Sequence, residues 1–154
     1  MKNPVASRYA VCSNPFLVHI ANELLLSNNL PRALRILRAI MLGVRNCIPQ
    51  EESRWLSSLL PGSLKPLYLE GWNSDIMTSP VYSMRDFVDE VYFLAGERKA
   101  FVNKTEAEKQ IIAAVKEIEH FVVPSVWQHI VHCLPKPLRF HLDDYVMEGY
   151  SLIQ

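Results

Sequence analysis

The chain has 154 residues, of which 49% are apolar and 21% charged, and its 16 basic and 16 acidic side chains give zero formal net charge. That length fits one domain able to bury about 68% of the surface that its unfolded form exposes. A pI near 7.0 disfavours nucleic acid as a partner, and no stretch reaches the roughly 18 apolar residues of a membrane span, so we expect neither nucleic-acid nor membrane binding.

Cap residues predict four helices in the first half of the chain. Serine and asparagine accept hydrogen bonds from the unpaired N–H groups of a first helical turn, and proline there has no N–H to lose. Gly71, after the last residue of the fourth helix, favours the left-handed conformation that ends a helix. The predicted starts are Ser13-Asn14-Pro15, Asn29-Leu30-Pro31, Pro49 with Glu51 and Glu52, and Ser63.

The second half carries equivalent signals. Ser83 with Asp86 and Thr105 with Glu108 are cap patterns that predict two further helices, the first of them ended by Gly96. Pro124 and Pro137 predict the starts of the last two. Apolar residues recur at helical spacing within each of these segments.

An internal repeat organises the chain. The pattern Leu60-Pro61 followed by Leu64 recurs as Leu134-Pro135 followed by Leu138, and the same shift superposes further apolar positions. The repeat predicts an all-α, single-domain antiparallel bundle of about eight helices built from two pseudo-repeats. We expect an N-terminal arm over 1–12 and a helical domain over 13–154, divided into pseudo-repeats over 13–72 and 83–150 with a linker over 73–82.

The residues that carry the repeat also carry a family resemblance. Ala33, Leu37 and Ala39 lead to Leu60-Pro61, then to the run from Leu67 to Trp72, and after the linker to Asp86-Phe87. This pattern resembles the bacterial family catalogued as domain of unknown function 2267, over nearly everything after Ser13. The resemblance implies an all-helical soluble protein, and it supplies no catalytic residues.

Aromatic and carboxylate side chains meet at the predicted end of the fourth helix. Tyr68, Glu70 and Trp72 lie beside the linker, and aromatic groups with polar handles are common in ligand pockets. A packing role for Tyr68 and Trp72 is the alternative.

Arginines line one face of the second predicted helix. They are Arg32, Arg35, Arg38 and Arg45, and no acid lies between Glu23 and Glu51 to neutralise them. Arginine favours bidentate contact with carboxylates, so we expect an acidic protein partner or self-association, with a solvated helix face as the alternative. Exposed apolar side chains beside the arginines would support partner binding.

Histidines near the C-terminus are a weaker candidate site. The imidazoles of His120, His129 and His132 are candidate zinc ligands. A closed zinc site needs four ligands that converge on one ion, and the competing interpretation is that this helix face packs in the core. His19 with Glu23 is a weaker pair still.

Enzymatic chemistry has little support in the sequence. Nucleophile elbows and phosphate-binding glycine loops are absent, which predicts a protein without catalytic residues or a cofactor. An odd number of cysteines and no apolar leader predict a cytoplasmic location. We therefore expect a non-enzymatic module for protein interaction or regulation, with a protein that binds a small molecule or a metal between the repeats as the alternative.

Overall fold

Helices form the architecture, as predicted. The computed structural model describes residues 14–71 and 83–136, and that part contains seven α-helices, one 3-10 turn and no strand. No helix within it is long and apolar enough to cross a membrane. The α-helices are α1 (Pro15–Glu23), α2 (Leu30–Cys47), α3 (Gln50–Ser57), α4 (Lys65–Leu69), α5 (Met84–Leu94), α6 (Lys104–Phe121) and α7 (Pro124–Cys133), with the 3-10 turn at Glu97–Lys99.

Several expectations fall outside the described residues. They are the N-terminal arm, the linker, Trp72 and the eighth helix predicted to start at Pro137. The all-α class is confirmed, whereas the eight-helix count and the domain limits stay predictions.

Side-chain caps begin three of the helices as predicted. Asn14, Asn29 and Ser83 each accept a hydrogen bond of 3.0–3.2 Å from the backbone N–H three residues on. Gly71 and Gly96 have φ values of +64° and +88°, the left-handed conformation predicted for both.

Two predicted caps are wrong. Ser63 does not cap α4; its carbonyl instead accepts from the Asn14 side chain at 3.2 Å. Thr105 lies inside α6, because Asn103 reaches the cap position two residues earlier and accepts from the backbone N–H of Glu106 at 2.8 Å.

Helix α2 is the centre of the core. It packs against α1, α4, α5 and α6, and Leu37 and Ile40 on it are fully buried. Gly43 lies against α5, and an added Cβ there would lie 3.0 Å from Cγ2 of Val91 and 3.3 Å from Cε2 of Phe87. The core therefore joins the two halves of the chain.

The two longest helices correspond at the interval of the predicted repeat. Helices α2 and α6 both have 18 residues, start 74 positions apart, and are capped by Asn29 and Asn103. Helices α3 and α7 begin the same interval apart. Residues at equivalent positions are buried in both copies, as in the pairs Ala33 and Ala107, Leu37 and Ile111, Ile48 and Val122, Leu56 and Ile130, and Leu60 and Leu134.

Candidate functional site

Tyr68 is part of the core. Its side chain is fully buried, and its hydroxyl forms a hydrogen bond with Oγ of Ser53, which joins α4 to α3. Burial raises the pKa of Tyr68 to about 12. The side chain therefore packs in the core, and the ligand role expected for it stays a prediction.

Glu70, at the end of α4, meets two of the arginines. Nε of Arg38 lies 2.6 Å from Oε2 of Glu70. Nη1 of Arg45 donates to the carbonyl oxygens of Tyr68 at 3.0 Å and of Glu70 at 2.6 Å. Carbonyls at a helix C-terminus carry partial negative charge, which suits a guanidinium. Burial lowers the pKa of Arg45 despite these partners.

The other end of the arginine row faces the 3-10 turn. Nε of Arg32 donates to the carbonyl oxygen of Ala100. Arg35 is exposed, and its Nη1 lies 3.3 Å from the position that a Cβ on Gly96 would occupy. Cδ of Lys99 lies 3.4 Å from the same position. Two cationic side chains therefore come together beside Gly96.

Two exposed apolar side chains lie close in sequence to Gly96 and Lys99. Phe93 is 71% exposed on the last turn of α5, three residues before Gly96, and Val102 is 70% exposed just after the 3-10 turn. We call Arg35, Phe93, Lys99 and Val102 the Phe93 surface. It combines positive charge with apolar area, a composition that the sequence alone did not predict because Phe93 and Val102 would ordinarily be assigned to the core.

The three candidate histidines have separate surroundings. The ring of His129 meets Trp55 edge-on, with centroids 4.7 Å apart, whereas Nδ1 of His132 donates to the carbonyl oxygen of Gln128 at 2.7 Å. His120 is exposed in the last turn of α6. The described residues do not bring these imidazoles together as a three-ligand group.

A different histidine lies in such a group. Nε2 of His19 on α1 lies 2.6 Å from Oε2 of Glu117 on α6. Glu23 completes a set whose ligand atoms all lie within 4.8 Å of one another. The sequence alone indicates the pair of His19 and Glu23. Glu117 is 98 residues from His19 in the sequence, and it joins this pair because α1 packs on α6.

Two cavities differ in size and polarity. An apolar cavity of about 30 Å³ lies between the halves of the chain, with Met41, Phe87, Trp127 and Leu134 among its lining residues. It has room for about one water molecule, far below the volume of an organic ligand. An open cleft of about 470 Å³ lies between the N-terminal turns of α5 and α6, where Lys104 pairs with Asp89.

Cys47 offers no nucleophile at neutral pH. Burial at the end of α2 raises the pKa of its thiol to about 12, and the negative charge of Glu90 is a smaller cause of the same rise. A thiolate is the reactive form, so Cys47 stays protonated and unreactive in the folded protein.

The described residues form an all-helical fold in which Tyr68 lies in the core, Arg38 and Arg45 contact the end of α4, and Arg35 is exposed. The chain belongs to the family described as Uncharacterized conserved protein (DUF2267), whose model matches residues 13–140. This match confirms the resemblance seen in the sequence. Among curated proteins, none matches the chain.

Proposed function

We propose that this protein is a non-enzymatic helical module that binds an acidic protein partner, or a second copy of itself, through the Phe93 surface. The observations that carry the proposal are the exposure of Phe93 and Val102 on either side of the 3-10 turn and the meeting of Arg35 and Lys99 next to Gly96, which directly precedes that turn. Arg32 borders this surface through Ala100. We further propose that the module acts in the cytoplasm.

The charges around the surface favour an acidic partner. Arg98 adds a third exposed cation beside Arg35 and Lys99, and Glu97 is the acid within the same 3-10 turn. A guanidinium donates two parallel hydrogen bonds to a carboxylate, and complementary charge speeds association and disfavours basic partners. Arg38 and Arg45 take a smaller part in this proposal, because both are engaged with the end of α4.

The apolar side chains supply the anchor. Exposed aromatic residues are enriched where proteins associate, and burial of one such ring against a partner often dominates the binding energy. Phe93 exposes more of its surface than Trp55 or Phe121, which are 49% and 41% exposed. We therefore expect Phe93 to be the residue whose removal weakens binding most.

Affinity capture from the source cell tests the proposal. The bait is the wild-type chain beside two variants, Phe93→Ser and Arg35→Glu. Val123→Ser and Arg54→Glu are matched controls, since Val123 is 63% exposed and Arg54 lies exposed on α3. We expect the wild type and both controls to retain the same partner, the two variants to lose it, and added salt to weaken its capture.

Self-association is measured on the same proteins by sedimentation. A dimer that dissociates on Phe93→Ser identifies the second copy as the partner. Retention of identical proteins by all five baits, or of none together with a monomeric wild type, would contradict the proposal.

Small-molecule binding is the second candidate function, favoured by the open cleft between α5 and α6. Its volume of about 470 Å³ is in the range of small-molecule sites, and Arg85, Thr105 and Glu108 give it mixed polarity. A thermal-shift screen with charged metabolites distinguishes the candidates: a hit abolished by Thr105→Val and retained by Phe93→Ser supports the cleft.

A further inference from the structure

We propose that His19, Glu23 and Glu117 form a binding site for one divalent transition-metal ion, a role independent of the Phe93 surface. One ligand atom from each residue lies within 4.8 Å of the other two. The side chain of His19 is 52% exposed and that of Glu117 21% exposed, so an ion can reach the group from solvent.

Ligand chemistry favours zinc or a neighbouring transition metal. Imidazole with carboxylate oxygens is the ligand set of many zinc sites, in which three protein ligands leave the fourth position for water. Magnesium and calcium prefer oxygen ligands alone, so His19 disfavours both. The spacing of His19 and Glu23, four residues apart on α1, places the two side chains on one face of the helix.

The distances between the ligand atoms differ from those of a tetrahedral zinc site, so the side chains would adjust on binding an ion. In a tetrahedral zinc site with metal–ligand distances of ~2.1 Å, the ligand atoms lie about 3.4 Å from one another. His19 and Glu117 are now closer than that, at 2.6 Å, so the ion would replace their hydrogen bond. All three ligand atoms lie within 4.8 Å of one another, so a bound ion would require the two glutamate side chains to rotate toward it.

The helices that carry the ligands are held together one turn away. The rings of Phe16 and Phe121 stack with centroids 4.1 Å apart and an interplanar angle of 20°. Phe16 precedes His19 by three residues and Phe121 follows Glu117 by four, so the stack fixes the two backbones next to the ligands. A bound ion would therefore tie α1 to α6, and so the first half of the chain to the second.

Titration calorimetry with Zn²⁺ on protein freed of any affinity tag tests the site. We expect the wild type to bind one equivalent and the variants His19→Ala and Glu117→Gln to bind it at least ten times more weakly. His132→Ala and Glu106→Gln are matched controls, both exposed and outside the group, and should bind like the wild type.

Thermal unfolding supplies a second measurement. Because an ion that binds only the folded chain stabilises it, saturation at about 100 times the dissociation constant should raise the melting temperature of the wild type by roughly 5–10 °C. The two ligand variants should show no such rise while keeping the helical circular dichroism of the wild type. Absence of zinc binding by the wild type up to about 100 μM, or binding of equal affinity by His19→Ala and Glu117→Gln, would overturn the proposal.

Discussion

Arg45 reaches from α2 to the C-terminal end of α4, where Nη1 donates to two backbone carbonyl oxygens. Arg35, on the same helix, is exposed next to another cation. The regular spacing of the arginines suggested one common role. Their contacts instead divide them between holding α4 in place and presenting charge to solvent.

This division predicts unequal effects of arginine substitution on stability. Arg45→Ala removes two charge-assisted hydrogen bonds and should lower the free energy of unfolding by about 1–2 kcal/mol, since the group is only partly buried. Arg35→Ala should change it by about 0.5 kcal/mol or less. Urea titration of both variants measures the difference, and equal losses would contradict it.

The hydroxyl of Tyr68 gives a second prediction at this scale. Tyr68→Phe leaves Oγ of buried Ser53 without its partner, so we expect a loss of about 1–3 kcal/mol in urea titrations. The double variant with Ser53→Ala should lose less than the sum of the single losses, because neither partner is then left unpaired. Tyr92→Phe is the control, on a half-buried ring packed against Phe101. Additive losses would show that the hydrogen bond contributes nothing.

At the scale of elements, the crossing of α2 and α5 depends on a missing side chain. Gly43 is buried in the middle of α2, where glycine costs helix stability relative to alanine. A Cβ at this position would crowd Val91 and Phe87, whose side chains would have to shift by a few tenths of an ångström.

Gly43→Ala should therefore destabilise the protein by about 1 kcal/mol, since overpacking against Val91 exceeds the gain in helix propensity. Adding Val91→Ala should reduce the penalty of the alanine at position 43 by making room for it. Gly62→Ala is the control, because a Cβ there meets nothing within 4 Å. Equal urea midpoints for the wild type and Gly43→Ala would contradict the expected clash.

The sequence predicted local features of these elements better than contacts between them. Asn29 and Ser83 could be identified as caps because the cap hydrogen bond spans only three residues. The pattern of Thr105 with Glu108 predicts the wrong cap residue for α6. Asn103, two residues earlier, is an equally good hydrogen-bond acceptor, and the sequence pattern alone does not rank the two. The contact of His19 with Glu117 depends on how α1 packs on α6, which local sequence does not encode.

At the scale of the whole molecule, stability is concentrated where the halves meet. Helix α2 packs against α1 and α4 in the first half of the chain and against α5 and α6 in the second half. The equal lengths of α2 and α6 and their matching caps are what a duplicated unit predicts. Buried residues of both halves belong to one hydrophobic core.

Burial of two weak acids makes this stability sensitive to alkali. The pKa of Cys47 rises from 9.0 to about 12 on folding, and that of Tyr68 from 10.0 to about 12. Above about pH 9 the unfolded chain holds fewer protons than the folded chain, so the free energy of unfolding should fall as pH rises toward 12.

Urea titrations at several alkaline pH values measure this fall. It should be shallower in Cys47→Ala than in the wild type, because that variant lacks one of the two acids. Leu56→Ala, which removes a buried side chain that does not titrate, is the control. The same pH dependence in the wild type and Cys47→Ala would show that this thiol does not contribute.

The buried thiol of Cys47 also provides a chemical probe for opening of the folded protein. A labelling reagent needs a thiolate that it can reach, and in the closed molecule Cys47 is both protonated and 6% exposed. Labelling at this position would therefore occur only in molecules whose core has opened, as amide exchange does for protected backbone groups. Cys47 is the last residue of α2, the helix against which both halves of the chain pack. Its labelling rate would therefore measure how often the core opens.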